Sequence, residues 1–231
     1  MKIFLLLLLL NTSFTFAQTI EESNLVKITY EYTHSISEKT AFDVQLYCNE
    51  SHSQYIYYSE KRIIDLEDGL RYTFPSNNYI TNYDFKNEKI EENRILSDGT
   101  ILYANWNNEI DWEITEEEGY IGKYKVRKAI TDSFESDPNH PFYAGKAIAW
   151  FCTDIPIPSG PARYYGLPGL ILKLEYENDG GTYILKTIEG GDNYKFKEIT
   201  KENTVDKEDV IYYKHKSLKK IKEIQKNSKK K

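Results

Sequence analysis

Residues 148–185 read IAWFCTDIPIPSGPARYYGLPGLILKLEYENDGGTYIL. Four of the seven prolines, Pro156, Pro158, Pro161 and Pro168, fall in this stretch. Proline donates no ladder hydrogen bond, so 154–161 is an edge segment or shaped loop and not a central strand. Residues that precede a proline are also kept out of the helical region. Gly160 and Gly166 permit positive φ where the chain turns. Leu167-Pro168-Gly169 carries the signature of a type II turn, with Gly169 at i+2. The apolar run 167–174 leads into LILKLEY, which reads as a strand buried on both faces or beneath the helix. Asn178-Asp179-Gly180-Gly181 reads as a hairpin turn. The segment is therefore a rigid bend that feeds a core strand. The alternative is a preformed binding rim, in which stiff loops hold Trp150, Asp154, Arg163, Tyr164 and Tyr165 beside a concave sheet.

Working outward, the dominant period is two. VKITYEYTH (26–34) alternates, and so does AFDVQLYCN (41–49), with Phe42, Val44, Leu46 and Cys48 on one face. SQYIYYS continues after a polar turn. NRIL and TILYANW flank Ser97-Asp98-Gly99 as a hairpin. IDWEIT and YKVRKAITDSF form a further pair, joined by EEEGYIG. No βαβ alternation and no internal repeat is present. The expected fold is mainly β: an antiparallel meander forming an open, curved sheet or half-barrel, with a C-terminal amphipathic helix. That helix begins near residue 204, with Thr204 as its cap and Asp206, Glu208 and Asp209 in its first turns. Ile211, Leu218, Ile221 and Ile224 form its apolar stripe.

Residues 1–17 have the pattern of a secretory signal peptide: Lys2, an apolar run over 3–10, and small residues Thr15 and Ala17 before the cut. Cleavage after Ala17 predicts an exported chain, periplasmic or extracellular. No cysteine follows the apolar run, so a lipoprotein is not expected. The mature part has no second long apolar run and so no transmembrane segment. Residues 18–213 read as a single β domain, and 214–231 as the basic end of the helix and a tail. The net charge is −6. The tail carries nine lysines against one glutamate. Setting these aside leaves 21 basic and 35 acidic side chains, a balance of −14. An acidic body argues against nucleic acid, which needs a basic face.

Cys48 and Cys152 leave two outcomes open in an oxidising compartment: a disulfide, or two buried thiols. A bridge would close a loop of about 105 residues and contribute roughly 4–5 kcal/mol on the chain-entropy model. Two cysteines and the scattered His34, His52, His140 and His215 show no metal-ligand spacing, and no cofactor is expected. The chain lacks a nucleophile elbow, a P-loop, HExxH and GxGxxG. Ser159, His140 and Asp154 supply only a chance triad. The acidic run 115–118 lacks the spaced ligands of a calcium loop. Asp111 and Glu113 flank Trp112, and paired carboxylates serve glycoside hydrolysis, but outward-facing solvated acids are the plainer reading.

GLPGLI at 166–171 resembles the name-giving motif of the GLPGLI family of secreted proteins of Bacteroidetes-type bacteria. AWFCTDIPIPSGPARYYGLPGLILKLE resembles that family's wider pattern, in which Gly160, Pro161, Gly166, Leu167, Pro168, Gly169, Leu170 and Ile171 form the structural motif. Cys48, Cys152 and Val126 depart from the pattern. The resemblance implies an envelope protein and no particular chemistry. A looser architectural likeness is to LolA-like half-barrels, which cradle lipid. The expectation is a binding or carrier protein of the cell envelope, with a lipid, a peptide or another envelope protein as partner. The alternatives are an interaction module of an outer-envelope complex and an unrecognised hydrolase.

Overall fold

A computed structural model describes residues 25–34, 37–60, 62–65, 71–74, 77–96, 99–107, 109–134, 145–178, 181–190, 193–207 and 210. Thirteen strands are described: β1 (Val26–His34), β2 (Ser37–Cys48), β3 (His52–Ser59), β4 (Arg62–Asp65), β5 (Arg71–Phe74), β6 (Asn77–Asp84), β7 (Lys89–Ile95), β8 (Ile101–Asn107), β9 (Glu113–Ile121), β10 (Tyr124–Asp132), β11 (Lys146–Cys152), β12 (Leu170–Tyr176) and β13 (Thr182–Gly190). Eleven form one antiparallel sheet in the order β8-β7-β6-β3-β2-β1-β13-β12-β11-β10-β9, and β4–β5 is a separate hairpin. Two meanders thus meet where β1 pairs with β13, Val26 opposite Gly190 and Thr33 opposite Thr182. The mainly β, open-sheet expectation holds.

The topology forces curvature. Laid flat, eleven strands at about 4.8 Å spacing span roughly 48 Å. Yet β8 and β9, the two edges, are consecutive in sequence, with only 108–112 between them. A fully extended chain covers about 22 Å from Asn107 to Glu113. The sheet therefore curls until its edges nearly face each other, and it stays open. Ile110 and Trp112 on the crossing segment pack against the core, so this part of IDWEIT is a bridge and not a strand. The inner face carries Ile28, Tyr30, Val44, Leu46, Tyr55 and Ala149, all at most 2% exposed.

Two sequence expectations shift. The β9–β10 turn lies at Gly122-Lys123, where Gly122 has φ +58°, and β9 continues through 116–121, with a register shift between Ile114 and Glu118. Gly119 is extended there, paired with Val126, and the Trp150 ring covers it: an added Cβ would lie 3.3 Å from Cζ3. At the C-terminus, Thr204 forms a parallel bridge to Tyr103 on the β8 edge. The Val210 N–H donates to the Asp206 carbonyl at 3.1 Å, so Asp206 takes the cap position of a helical turn. The rest of the expected helix, the signal peptide and the basic tail lie outside the described residues.

Residues 193–203 lead to that turn across the outer face. Tyr194 stacks on Tyr47, centroids 3.6 Å apart. The Gln54 side chain donates to the Lys197 carbonyl at 2.9 Å and accepts from its N–H at 3.0 Å. Asn93 repeats the arrangement with Thr200, at 2.7 and 2.6 Å. Two buried side-chain amides thereby hold an irregular strap as a neighbouring strand would.

Candidate functional site

The Pro–Gly loop, residues 153–169, is cross-tied. Three prolines sit at the centre of i→i+2 turns: Ile157 N–H to Ile155 carbonyl across Pro156, Ser159 to Ile157 across Pro158, and Gly169 to Leu167 across Pro168, each 2.8 Å. The fixed φ of proline suits this inverse γ geometry. Longer bonds close the loop: Gly166 N–H to Pro158, Leu170 to Ile155 and Ile171 to Ser159 carbonyls, 2.9–3.0 Å. The type II turn expected at Leu167-Pro168-Gly169 is absent. Gly166 carries the positive φ, +89°, and Gly169 does not. Gly169 is needed for close approach, since a Cβ there would lie 2.2 Å from the Cys152 carbonyl oxygen. Gly160 packs likewise against Ile171, since a Cβ there would lie 2.7 Å from the Ile171 Cβ. A register shift where β11 pairs with β12 accompanies the complete burial of Leu170, Ile171, Leu172 and Leu174.

The loop fills the concave side of the sheet. The Tyr30 hydroxyl donates to the Ile171 carbonyl at 2.8 Å. Ser159 and Ser53 hydroxyls lie 2.8 Å apart. Arg163 reaches Glu92 on β7 with two bonds, Nε–Oε2 2.7 Å and Nη2–Oε1 2.6 Å. Arg94 approaches the same carboxylate at 3.4 Å, and both guanidiniums lie over the Tyr79 ring at about 5 Å. Burial pushes the Glu92 carboxyl up, but Arg163 and Arg94 outweigh it and hold the group below its ordinary value. Tyr165 stacks on Tyr83, and its hydroxyl accepts from the Trp106 indole at 3.0 Å. Burial pushes that phenol well up.

The five residues expected at an open rim therefore separate. Arg163, Tyr164 and Tyr165 are inside, at 9%, 1% and 3% exposure. Asp154 is exposed at a turn. Trp150 lies half-buried over Gly119, with the Lys128 ammonium 5.7 Å from its ring and its indole 3.4 Å from Glu175. The loop is a plug made by tertiary ion pairing, which sequence spacing does not reveal. Cys48 and Cys152 are free thiols, both fully buried. Burial pushes the Cys48 thiol up, leaving it inert. Asp154 and Ser159 do not share a site, since Ser159 is bonded inward. His140 lies outside the described residues.

A cavity of about 500 Å³ opens beside the plug, along the segment that joins the two sheet edges. Its walls come from the crossing segment 109–113, the end of β10, the start of β11, Tyr165 and Lys207. The Trp112 indole donates to the Tyr165 carbonyl at 2.9 Å, tying the crossing segment to the plug. Asp111 and Glu113, flanking Trp112 in sequence, both contribute to the wall.

A family model described as Protein of unknown function (Porph_ging) matches residues 143–173, which include the whole Pro–Gly loop. No curated protein matches. Two solved structures of PNGF-II, in space groups P21 and C2, are similar, with TM-scores of 0.56 and 0.53 and sequence identities of 17% and 16%. Each alignment covers 83% of this chain and 32% of the other, so this chain spans about a third of the length of PNGF-II. At that identity the likeness is one of fold alone; the Pro–Gly segment of this chain's open β sheet matches a family of unknown function.

Proposed function

We propose that this protein is an exported, non-catalytic binding protein of the cell envelope, and that it takes a small ligand at the junction of its sheet edges. The observation that carries the reading is the cavity of about 500 Å³ beside Trp112, within the size range of small-molecule sites. Among the described residues the plug occupies the concave face, which argues against the lipid-carrier version of the same reading. Export is supported by the leader pattern of residues 1–17, with cleavage after Ala17, and by the resemblance of 166–171 to the GLPGLI motif. N-terminal sequencing of the protein from its native envelope tests export: a chain that begins at Met1 counts against it. Native mass spectrometry of the same material tests binding. The expected result is a co-purifying small molecule that Trp112→Ala releases; bare protein with no adduct from several growth conditions overturns the reading.

A second reading, an interaction module of an outer-envelope complex, is favoured by β9. This edge strand exposes Tyr120 at 74% and Ile114 at 40%. A pull-down whose yield is unchanged by Tyr120→Ser and Ile114→Ser counts against it.

A further inference from the structure

We propose that the cavity between the sheet edges recognises an organic ammonium group, a lysine side chain or a free alkylamine; this rests on the proposed binding function. Four carboxylates and two ammoniums stand in the wall. Both ammoniums are already committed: Lys146 lies 2.7 Å from Asp132, and Lys207 lies 3.2 Å from Glu109. The side-chain carboxylates of Asp111 and Glu113 make no ion pair or hydrogen bond among the described residues, so those residues leave two negative charges of the wall uncompensated. Both are exposed, which lets them meet an incoming cation without prior desolvation.

Two further features fit an ammonium. The aromatic rings Trp112 and Phe134 line the same space, and aromatic faces attract cations through the ring quadrupole. The chain demonstrates this with its own residue, since the Lys207 ammonium lies 5.8 Å from the Phe134 centroid and 6.0 Å from that of Trp106. The wall residue Ser133 is 3% exposed, and its hydroxyl has no hydrogen-bond partner among the described residues. A buried hydroxyl with no partner is costly, and an ammonium donor relieves it. No three His, Cys, Asp or Glu side chains among the described residues converge for a metal ion, so the carboxylates suit a larger, softer cation. The chain is also a source of such groups. Val210, buried beside Ile110, is followed by a segment with nine lysines from Lys214 to Lys231.

The test uses the full mature chain and follows the Trp112 indole resonance, assigned through Trp112→Phe. The probes are N-acetyl-lysine methylamide, cadaverine, the neutral norleucine analogue, a neutral hexose and acetate. The expected result is a saturable Trp112 shift with the two amines, at least tenfold weaker with norleucine. D111N/E113Q is expected to weaken amine binding at least tenfold, as is 0.5 M salt. Amine binding that emerges only after Lys214, Lys216, Lys219 and Lys220 are changed to glutamine supports the inference and identifies the chain's own tail as the source. Equal binding of norleucine, or amine binding unaffected by D111N/E113Q, overturns the ammonium inference and leaves the cavity as a site. A Trp112 resonance that no probe moves, in the parent and in the tail variant, overturns both.

Discussion

Arg163 and Glu92, 71 positions apart, meet in the interior through a two-point ion pair at 2.6 and 2.7 Å, and this contact seats the Pro–Gly loop in the sheet. Glu92 is fully buried, and Arg94 stands beside it. Removing one partner of a buried pair leaves charge without compensation and costs about 3–5 kcal/mol. Glu92→Gln strands two guanidiniums, whereas Arg163→Met strands only the excess carboxylate that Arg94 still partly neutralises. Thermal melts are therefore expected to rank Glu92→Gln below Arg163→Met, and both below the parent. At about 2–4 °C per kcal/mol for a domain of this size, Glu92→Gln loses roughly 10 °C. Equal melting temperatures for parent and Glu92→Gln would show that the pair contributes nothing.

The same pair sets an acid limit. The Glu92 carboxyl titrates below its ordinary value in the folded state, because Arg163 and Arg94 together outweigh burial. A depressed folded value means that its stabilisation is fully present above the unfolded carboxyl value, near 4.3. It is lost as pH falls below that value and through the lower folded one. Urea midpoints measured from pH 6 to pH 3 are expected to fall steeply below about pH 4.3. Glu92→Gln should flatten part of that slope; an unchanged slope in the variant would move the acid sensitivity elsewhere.

The strap across the outer face depends on two side chains. Gln54 and Asn93 each make a pair of hydrogen bonds to the backbone of Lys197 and Thr200. Each such bond contributes about 0.5–1.5 kcal/mol net. Gln54→Ala with Asn93→Ala is expected to speed amide exchange at Lys197, Thr200 and Val205. The amides of β1 should keep their protection. The strap also covers the β8 edge, where Val205 N–H donates to the Tyr103 carbonyl at 2.9 Å. Loosening it exposes an unpaired strand, so the double variant should show concentration-dependent association in light scattering.

The strands were legible because alternation reports a half-buried sheet directly. VKITYEYTH marks β1 to the residue, and the NDGG and SDG turns mark two hairpins. IDW was read as strand because an aromatic residue between acids looks like alternation; its actual task, bridging two sheet edges, depends on an eleven-strand curl that no local pattern encodes. Gly119 stood in the segment read as a turn, but its φ is not positive, and the Trp150 ring lies close over it. KIEENRI reads as polar, yet Glu92 and Arg94 are buried, because their partner comes from the distant Pro–Gly loop. The cavity was half visible, in Asp111-Trp112-Glu113. The remaining walls come from β10, β11 and Lys207, which only the fold brings together.

Gly166 and Gly169, three residues apart in one motif, are required for opposite reasons, and substitution separates them. Gly166 is exposed with φ +89°, so any side chain there is penalised through the backbone. Asparagine tolerates positive φ better than a β-branched residue does. Gly169 has no positive φ, but a Cβ would meet the Cys152 carbonyl oxygen at 2.2 Å and its carbon at 2.7 Å. Those are backbone atoms of β11, which cannot turn aside as a flexible side chain would. Gly169→Ala must therefore displace a central strand or the start of β12, and overpacking of this kind costs about 1–3 kcal/mol or more. Thermal melts are expected to place Gly166→Asn near the parent and Gly166→Val well below it. Gly169→Ala and Gly169→Asn should both fall below Gly166→Asn. The control is Lys186→Ala on β13, whose exposed pair with Asp43 contributes little; Ala162→Val in the loop itself would not serve, since Ala162 sits at φ +57°, where valine is strained. If Gly169→Ala melts with that control while Gly166→Asn does not, the assignment of steric and conformational roles is reversed.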